Sequence, residues 1–454
     1  MEKKKVRFTT TRMIMLGFFI GALAGTALLS LPIASADGKP ANFLDALFVA
    51  TSAICVTGLS TVVTAAQWSL FGQIVILFLI QFGGLGIVTV MTSMLLLFRR
   101  RISLSERLLI QEAYNLDTLG GLVRITKSIV KGAMIVEGIG AVFFFFCFVG
   151  EYGPRAVWYA IFHSVSAFCN AGLDLVGDSG FVAFQTNLPV NLITMALIVV
   201  GGIGFPVWWD VLGKVKRIRE KEIPAGQLWR RLSLHTKLAV TMTVTLIVSG
   251  AVLYFLFEYN NPDSMGNLSM GEKIMASFFQ SVTTRTAGFQ TIPQENLTQA
   301  SGFLTLIFMV IGGSPSSTAG GIKTVTFFVL TLSVISLIRG KKDLEVFGRR
   351  LPEFYVRKAS AIFSVSFCCM IAATLLLCAT QGWTVMEALY EAGSALATVG
   401  LSCGKTGDLN PVGKVIITCC MYLGRIGPIT LALSLQSSGK RNNRELPEGR
   451  VLIG

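Results

Sequence analysis

Charged residues are scarce in this chain of 454 residues. They make up 14% of it, against roughly 25% in soluble domains. The clearly polar stretches are too short to form a separate soluble domain. Histidine is nearly missing, with only His163 and His235 present. An intramembrane enzyme would need a protease-like or metal-binding constellation, and no Ser/His/Asp or metal-ligand set can be assembled. His163 sits in a short apolar segment and reads as a packing or capping residue. His235 falls in a basic stretch. The nine cysteines lack metal-ligand spacing. Cys147, Cys368, Cys369, Cys378, Cys419 and Cys420 lie within apolar runs and read as small hydrophobes. Cys55, Cys169 and Cys403 lie beside glycine-ended segments, where packing is again the expected role.

What is abundant is apolar surface. The chain is 52% hydrophobic and carries 32 Phe. Many runs reach the roughly 20 residues that span a bilayer, so an all-α, polytopic membrane protein is expected. The net charge of +14 is not a nucleic-acid footprint, because the basic residues form no single stripe. They cluster at 1–12, 99–131, 214–237, 339–358 and 440–454, which together hold 31 of the 39 Lys and Arg. The intervening stretches, such as 258–273, are poor in both. This is the positive-inside pattern. It places both termini and the three long connections in the cytoplasm.

Four short segments end in a glycine at a nearly constant interval: ICVTGLS, FCNAGLD, RTAGFQT and ATVGLSC, with Gly58, Gly172, Gly288 and Gly400. Each follows a short apolar stretch and precedes a long one. The spacing predicts four units of helix, pore loop and helix, giving eight transmembrane helices and four re-entrant pore helices in pseudo-fourfold array around a central pore. The expected units are 1–105, 106–220, 221–345 and 346–438, followed by a cytoplasmic tail at 439–454. Their pore loops lie at 43–60, 155–175, 271–291 and 384–404. The flanking helices are expected at about 12–33 and 66–98, 125–149 and 187–213, 234–259 and 300–338, and 355–380 and 411–436. Segments too short to span must bury their ends in protein or face water. Four such loops can replace the water around a cation with backbone carbonyls. The filter candidates are Val56, Thr57 and Gly58; Asn170, Ala171 and Gly172; Thr286, Ala287 and Gly288; and Thr398, Val399 and Gly400.

The second helix of each unit carries a glycine knot: QFGGLGI (81–87), VGGIGFP (200–206), IGGSPSSTAGG (311–321) and YLGRIGP (422–428). In the first two units the knot is read as close packing and flexing. The third is polar and contains Pro315, so it cannot be a lipid-facing helix. It reads as a movable constriction in the ion path, formed by Gly312, Gly313, Ser314, Pro315, Ser316, Ser317, Thr318, Ala319, Gly320, Gly321 and Lys323. Arg425 falls at the matching depth of the fourth unit. An intramembrane charge of this kind is functional by default: a positive barrier to cations, or, in the plainer alternative, the partner of a buried acid such as Glu137 or Glu391.

These motifs resemble the Trk/Ktr/HKT superfamily of potassium transporters over nearly the whole chain. TSAICVTGLS, TTRTAGFQT, GGSPSSTAGGIKT and LGRIGP carry the match as a set. The eight-crossing length is most similar to the membrane subunit of the bacterial Ktr system, as is the terminal PEGRVLIG, which in that family lies at the dimer interface. The resemblance implies a homodimer with one pore per protomer in the bacterial cytoplasmic membrane. It implies K+ as substrate, Na+ as activator, and a cytosolic RCK-type ring that carries the nucleotide. It also makes 312–323 an intramembrane gate and Arg425 the family's pore arginine. Some plant members have Ser at the first filter glycine and prefer sodium; four glycines here favour potassium. The residues flanking those glycines differ between loops, so the ring is quasi-fourfold and strict channel selectivity is not implied.

Two alternatives stand beside this reading, the first of which keeps the same architecture. One is a sodium-conducting or poorly selective cation transporter. The other is an alternating-access carrier, which more often has inverted repeats, whereas these repeats are parallel. Some of Lys216, Arg217, Arg219, Arg349 and Arg350 are expected to touch the regulatory ring or anionic lipid. The N-terminus imitates a secretory signal, with Lys3–Lys5, an apolar run and Ala34-Ser35-Ala36 before Asp37. Cleavage there would remove the first helix of the first unit. The segment is therefore expected to be retained, and intact-mass measurement should find no mature form starting at Asp37.

Overall fold

The computed structural model describes residues 10–86, 89, 122–177, 180–341 and 343–427. Residues 1–9 of the first basic cluster, the last basic cluster, most of 99–131, the distal parts of 66–98 and 411–436, and the tail at 439–454 lie outside the described residues. The longer helices are α1 Thr10–Leu29, α2 Phe43–Cys55, α3 Leu70–Leu85, α4 Leu122–Tyr152, α5 Ala156–Cys169, α6 Leu188–Gly202, α7 Phe205–Arg219, α8 Leu234–Glu258, α9 Met270–Thr283, α10 Gln299–Val310, α11 Thr324–Ile338, α12 Glu353–Gln381, α13 Val385–Ala397 and α14 Pro411–Ile426. The order is a first helix, a short helix and a second helix, four times over.

Local chemistry starts and stops these elements. Every second helix opens on a polar N-cap whose side chain accepts a backbone N–H two or three residues into the first turn: Ser69, Asn187, Thr298 and Asn410. Such caps are worth about 1 kcal/mol each. The short helices α9 and α13 begin with capping boxes, Ser269 with Glu272 and Thr384 with Glu387. Asn42 caps α2.

The packing is arranged for lipid. From Phe48 to Cys55 in α2, and from Tyr390 to Ala397 in α13, every residue is buried. The short helices therefore form the centre, hydroxyls included. Large apolar side chains lie outside, with Phe146 at 70% and Leu337 at 80% exposure. Lipid accepts such an exterior and water does not. Among the described residues, four helical stretches are long and apolar enough to cross a membrane, and a fifth if the bent pair α6–α7 is counted as one.

The second helices depart from expectation. The helix anticipated over 187–213 is two helices meeting at 96°. Gly204 caps α7 at φ +99° and Pro206 follows in its first turn, a geometry that ends one helix and starts another. The helix expected over 66–98 begins at Leu70 and stops at Leu85, before Gly86 at φ +83°. The one expected over 411–436 stops at Ile426, before Gly427 at φ +90°. The first helix ends at Leu29 rather than 33, and a 3-10 turn follows at Pro32–Ala34. The fold is also not purely helical. A two-stranded hairpin pairs Leu344–Val346 with Arg349–Leu351, turning through Phe347 and Gly348, both at positive φ.

Each seam between neighbouring units carries a polar link. Trp158 Nε1 donates to Gln73 (2.8 Å) between the second and first. Gln185 donates to the Ser264 carbonyl (3.1 Å) between the second and third. Tyr390 donates to Gln294 (3.1 Å) between the fourth and third. Lys414 meets Asp45 at 2.6 Å between the fourth and first, with each side chain 17% exposed. Lys414→Met leaves the Asp45 carboxylate without its cation. A loss of about 3 kcal/mol is expected, read as a lower melting temperature in detergent, with Asp45→Asn restoring much of it.

Candidate functional site

The four glycine-ended segments terminate their short helices in closely related ways. In the first, Val56 N–H donates to Ala53 and Thr57 N–H to Ser52. Asn170 and Ala171, and Thr398 and Val399, repeat the pattern. This is the Schellman arrangement, with a non-glycine residue in its left-handed position. Val56, Asn170 and Thr398 have φ of 55°, 59° and 51°. The third segment differs: α9 ends at Thr283, a turn continues through Thr284 and Arg285, and Thr286 takes the left-handed place at φ 68°. Two residues after each of these, the glycine is again at positive φ: 98°, 67°, 78° and 94° at Gly58, Gly172, Gly288 and Gly400. Left-handed Val and Thr are unfavourable by about 1–2 kcal/mol, and such strain concentrates at functional sites.

The glycines close a ring. A Cβ built on Gly58 would lie within 3.0 Å of the Ala171 carbonyl oxygen; on Gly172, of Ala287; on Gly288, of Val399; and on Gly400, of Thr57. Each glycine thus faces the carbonyl of the residue before the glycine in the next loop, and the fourth returns to the first. Of the residues singled out in these loops, the four glycines and Thr57, Ala171, Ala287 and Val399 meet here. On one side of the ring a cavity of about 390 Å³ is lined by all four glycines, with Asp174 and Glu295 on its wall. A second cavity, of about 450 Å³, is bounded by Gly320, Gly321, Lys323 and Arg425.

Hydroxyls behind the ring hold the loops. Ser52 Oγ accepts from Gly58 N–H (3.0 Å) and Ser394 Oγ from Gly400 N–H (3.1 Å). Ser166 donates to the Leu173 carbonyl (2.6 Å) and Thr283 to that of Phe289 (2.5 Å). These residues were missed in the sequence reading. The signal was available: aligning the segments on their glycines puts Ser at the sixth residue before three of them, and Thr at the fifth before the other.

The polar third knot is an irregular loop between α10 and α11. Its neck is closed by Gly312 N–H to Ile322 (2.9 Å) and Ile322 N–H to Val310 (3.2 Å). Its body docks on the break in the second unit. Ser314 and Thr318 donate backbone N–H groups to Gly202 and Gly201, and Phe205 N–H donates to Ser316. Pro315 lies against Gly204, where a Cβ would meet its carbonyl. Within the loop, a Cβ on Gly313 would meet Ala319 and Ser317. Beside the neck the loop reaches the filter segments: Gly320 N–H donates to Thr286 Oγ1 (3.2 Å), and a Cβ on Gly320 would collide with Thr398. Lys323 Nζ folds back onto the Ala319 carbonyl (2.6 Å).

Among the described residues, Arg425 does not pair with a buried acid. Its guanidinium donates to the Thr318 carbonyl (2.7 Å) and to that of Gly83. Glu137 is instead engaged by Gln81, at 3.1 Å to each oxygen, and Glu391 by Ser402, Cys403 and Thr406. The partners of Arg425 are thus a carbonyl in the last turn of α3 and one in the loop. The other knots have a packing cause. A Cβ on Gly83, Gly201 or Gly424 would strike the carbonyl of Ile54, Phe168 or Leu396, so each knot seats the end of its own unit's short helix.

The fold and the site define a polytopic helical membrane protein in which four glycine-ended loops meet. The chain belongs to the TrkH cation transport protein family, whose model matches residues 3–443. It is 38% identical to the potassium/sodium uptake protein NtpJ of Enterococcus hirae, over 100% of this chain and 99% of that protein. It is 38% identical to Ktr system potassium uptake protein B of Bacillus subtilis, over 99% and 98%. The crystal structure of the potassium transporter TrkH from Vibrio parahaemolyticus aligns at a TM-score of 0.75 and 21% identity, covering 95% of this chain and 86% of that one. That likeness supports the fold. Membership in a family of cation transporters also removes the enzymatic reading.

The knots generate a stability prediction. Gly201→Ala places its methyl against the Phe168 carbonyl and the Thr318 hydroxyl. A loss of about 1–3 kcal/mol is expected, measured by thermal unfolding of the purified protein.

Proposed function

We propose that this protein takes up potassium through a gated, channel-like pore in the cytoplasmic membrane of a bacterium. The reading rests on one observation: each of the four glycines lies against the carbonyl of the next loop, so Thr57, Ala171, Ala287 and Val399 can offer backbone oxygens to one axial cation. The four units form a pseudo-fourfold pore with eight crossings and both termini in the cytoplasm. A carbonyl-lined ring discriminates cations by how well it replaces their hydration shell. Residues 312–323 act as an intramembrane gate beneath it. Arg425, tied to the loop at Thr318, holds that gate shut and adds a positive barrier. Na+ stimulates uptake. The protein works as a homodimer, one pore per protomer, with a cytosolic RCK-type ring that binds the nucleotide. The names of its uptake relatives support potassium as the substrate.

The test is growth of a bacterium lacking its own potassium uptake systems. The chain is expressed with and without a nucleotide-binding subunit across a sodium range. Rescue at low potassium, enhanced by the subunit and by sodium, is expected. Sodium sensitivity without rescue, in cells shown to hold the protein in their membranes, would favour a sodium-conducting relative. Gly58→Ser should weaken preference for potassium over sodium; unchanged competition between the ions would remove Gly58 from the filter. Deleting part of 313–319 should raise flux through the protein without its regulator. Unchanged flux in a folded variant would take the gate away from this loop.

A further inference from the structure

We infer that His163 and Glu391 are equivalent positioning residues that hold the second and fourth filter loops from behind and set their cation preference. The inference rests on the filter reading. His163 lies nine residues before Gly172, and Glu391 nine residues before Gly400. Both are fully buried on their short helices. Each engages the backbone N–H of the third residue after its glycine: Leu175 N–H donates to His163 Nε2 at 3.1 Å, and Cys403 N–H donates to Glu391 Oε1 at 3.1 Å. Two units with different side chains thus make the same bond at the same register. In the first and third units that register holds Val49 and Phe279, both apolar. The ring order puts the second and fourth loops across from each other, since neither glycine has the other among its nearest contacts. The device is therefore twofold inside a fourfold ring.

The chemistry of each side chain fits a tether. His163 Nδ1 lies 2.7 Å from the Tyr159 carbonyl, which makes Nδ1 the protonated nitrogen and leaves Nε2 as acceptor. The imidazole is packed among Phe148, Phe162 and Phe181, so it cannot swing away. Glu391 also accepts from Ser402 Oγ (2.5 Å) and Thr406 Oγ1 (2.8 Å). The loop that leaves the fourth filter glycine is bonded at three points to one carboxyl. Without these acceptors the Leu175 and Cys403 N–H groups lose their partners, and the loops can relax away from the axis. A buried, unpaired N–H is costly enough to move the backbone.

The test uses Rb+ uptake by the full-length protein in cells lacking their own potassium uptake, normalised to membrane-inserted protein, with Na+ as competitor. His163→Phe keeps an aromatic ring and removes the acceptor; His163→Gln keeps an acceptor. Glu391→Leu and Glu391→Gln form the matching pair. The Phe and Leu variants are expected to raise the KM for Rb+ about tenfold, the size expected for one unpaired buried N–H, and to let Na+ compete better, with the maximal rate held. The Gln variants should lie near the parent. Gly172→Ser is run alongside. If it shifts competition while the Phe and Leu variants do not, the positioning role is overturned and the filter stands. Gln variants as impaired as Phe and Leu, or losses confined to the amount of inserted protein, would overturn it in favour of plain packing. If Gly172→Ser is inert, the filter reading falls and this inference falls with it.

Discussion

The approach of glycine to carbonyl at the ring is the constraint on which the rest of this structure depends. Four backbones meet where a single methyl group would not fit, because a Cβ on any of the four would lie within 3.0 Å of the next loop's oxygen. Glycine answers both the space and the positive φ. The residue two places earlier has no such freedom, yet Val56, Asn170, Thr286 and Thr398 are all left-handed. That conformation is held by hydrogen bonds at the helix ends, by Ser52, Ser166, Thr283 and Ser394, and by the knots that seat the short helices. Much of the buried polar chemistry thus serves to keep an unfavourable backbone in place.

The loop at 312–323 shows how irregular backbone survives inside a membrane protein. Its amides find carbonyls at the break between α6 and α7, and the Gly320 amide finds the Thr286 hydroxyl. Such backbone is tolerated only when its groups are satisfied within the protein. The break in the second unit is thereby explained. Stopping α6 at Gly202 exposes the Gly201 and Gly202 carbonyls, which receive Thr318 and Ser314. Arg425 satisfies the Thr318 carbonyl of the loop and the Gly83 carbonyl at the end of α3. A guanidinium can do this with a planar fork of donors. No carboxylate is required, because two carbonyls accept from the charged group.

Much of this was legible in the sequence, for physical reasons. Glycine at a near-constant interval is a readable signal, because close approach and positive φ both call for it. The polar third knot was legible because twelve polar, glycine-rich residues cannot sit against lipid. Other features were less so. The left-handed Val56 and Thr398 carry no local signature, since their propensities argue against that conformation. The break after Gly202 had its signals in Gly204 and Pro206, but a Gly-rich stretch inside an apolar run also fits a packed helix, and only the docked loop decides between them. His163 looked like packing because its partner, the Leu175 amide, is backbone and leaves no trace in the sequence. Arg425 was assigned an acid as one alternative because charge seeks charge; free carbonyls at helix ends cannot be counted until the helices are known to end.

The most direct test of the account is to locate the ion. Crystals grown or soaked in Rb+ should give an anomalous peak on the axis at the level of Gly58, Gly172, Gly288 and Gly400, bounded by the carbonyls of Thr57, Ala171, Ala287 and Val399. Replacement by Na+ should weaken that site. An ordered protein with no cation at the ring, and Rb+ bound elsewhere in the membrane region, would contradict the claim that these four loops form the filter.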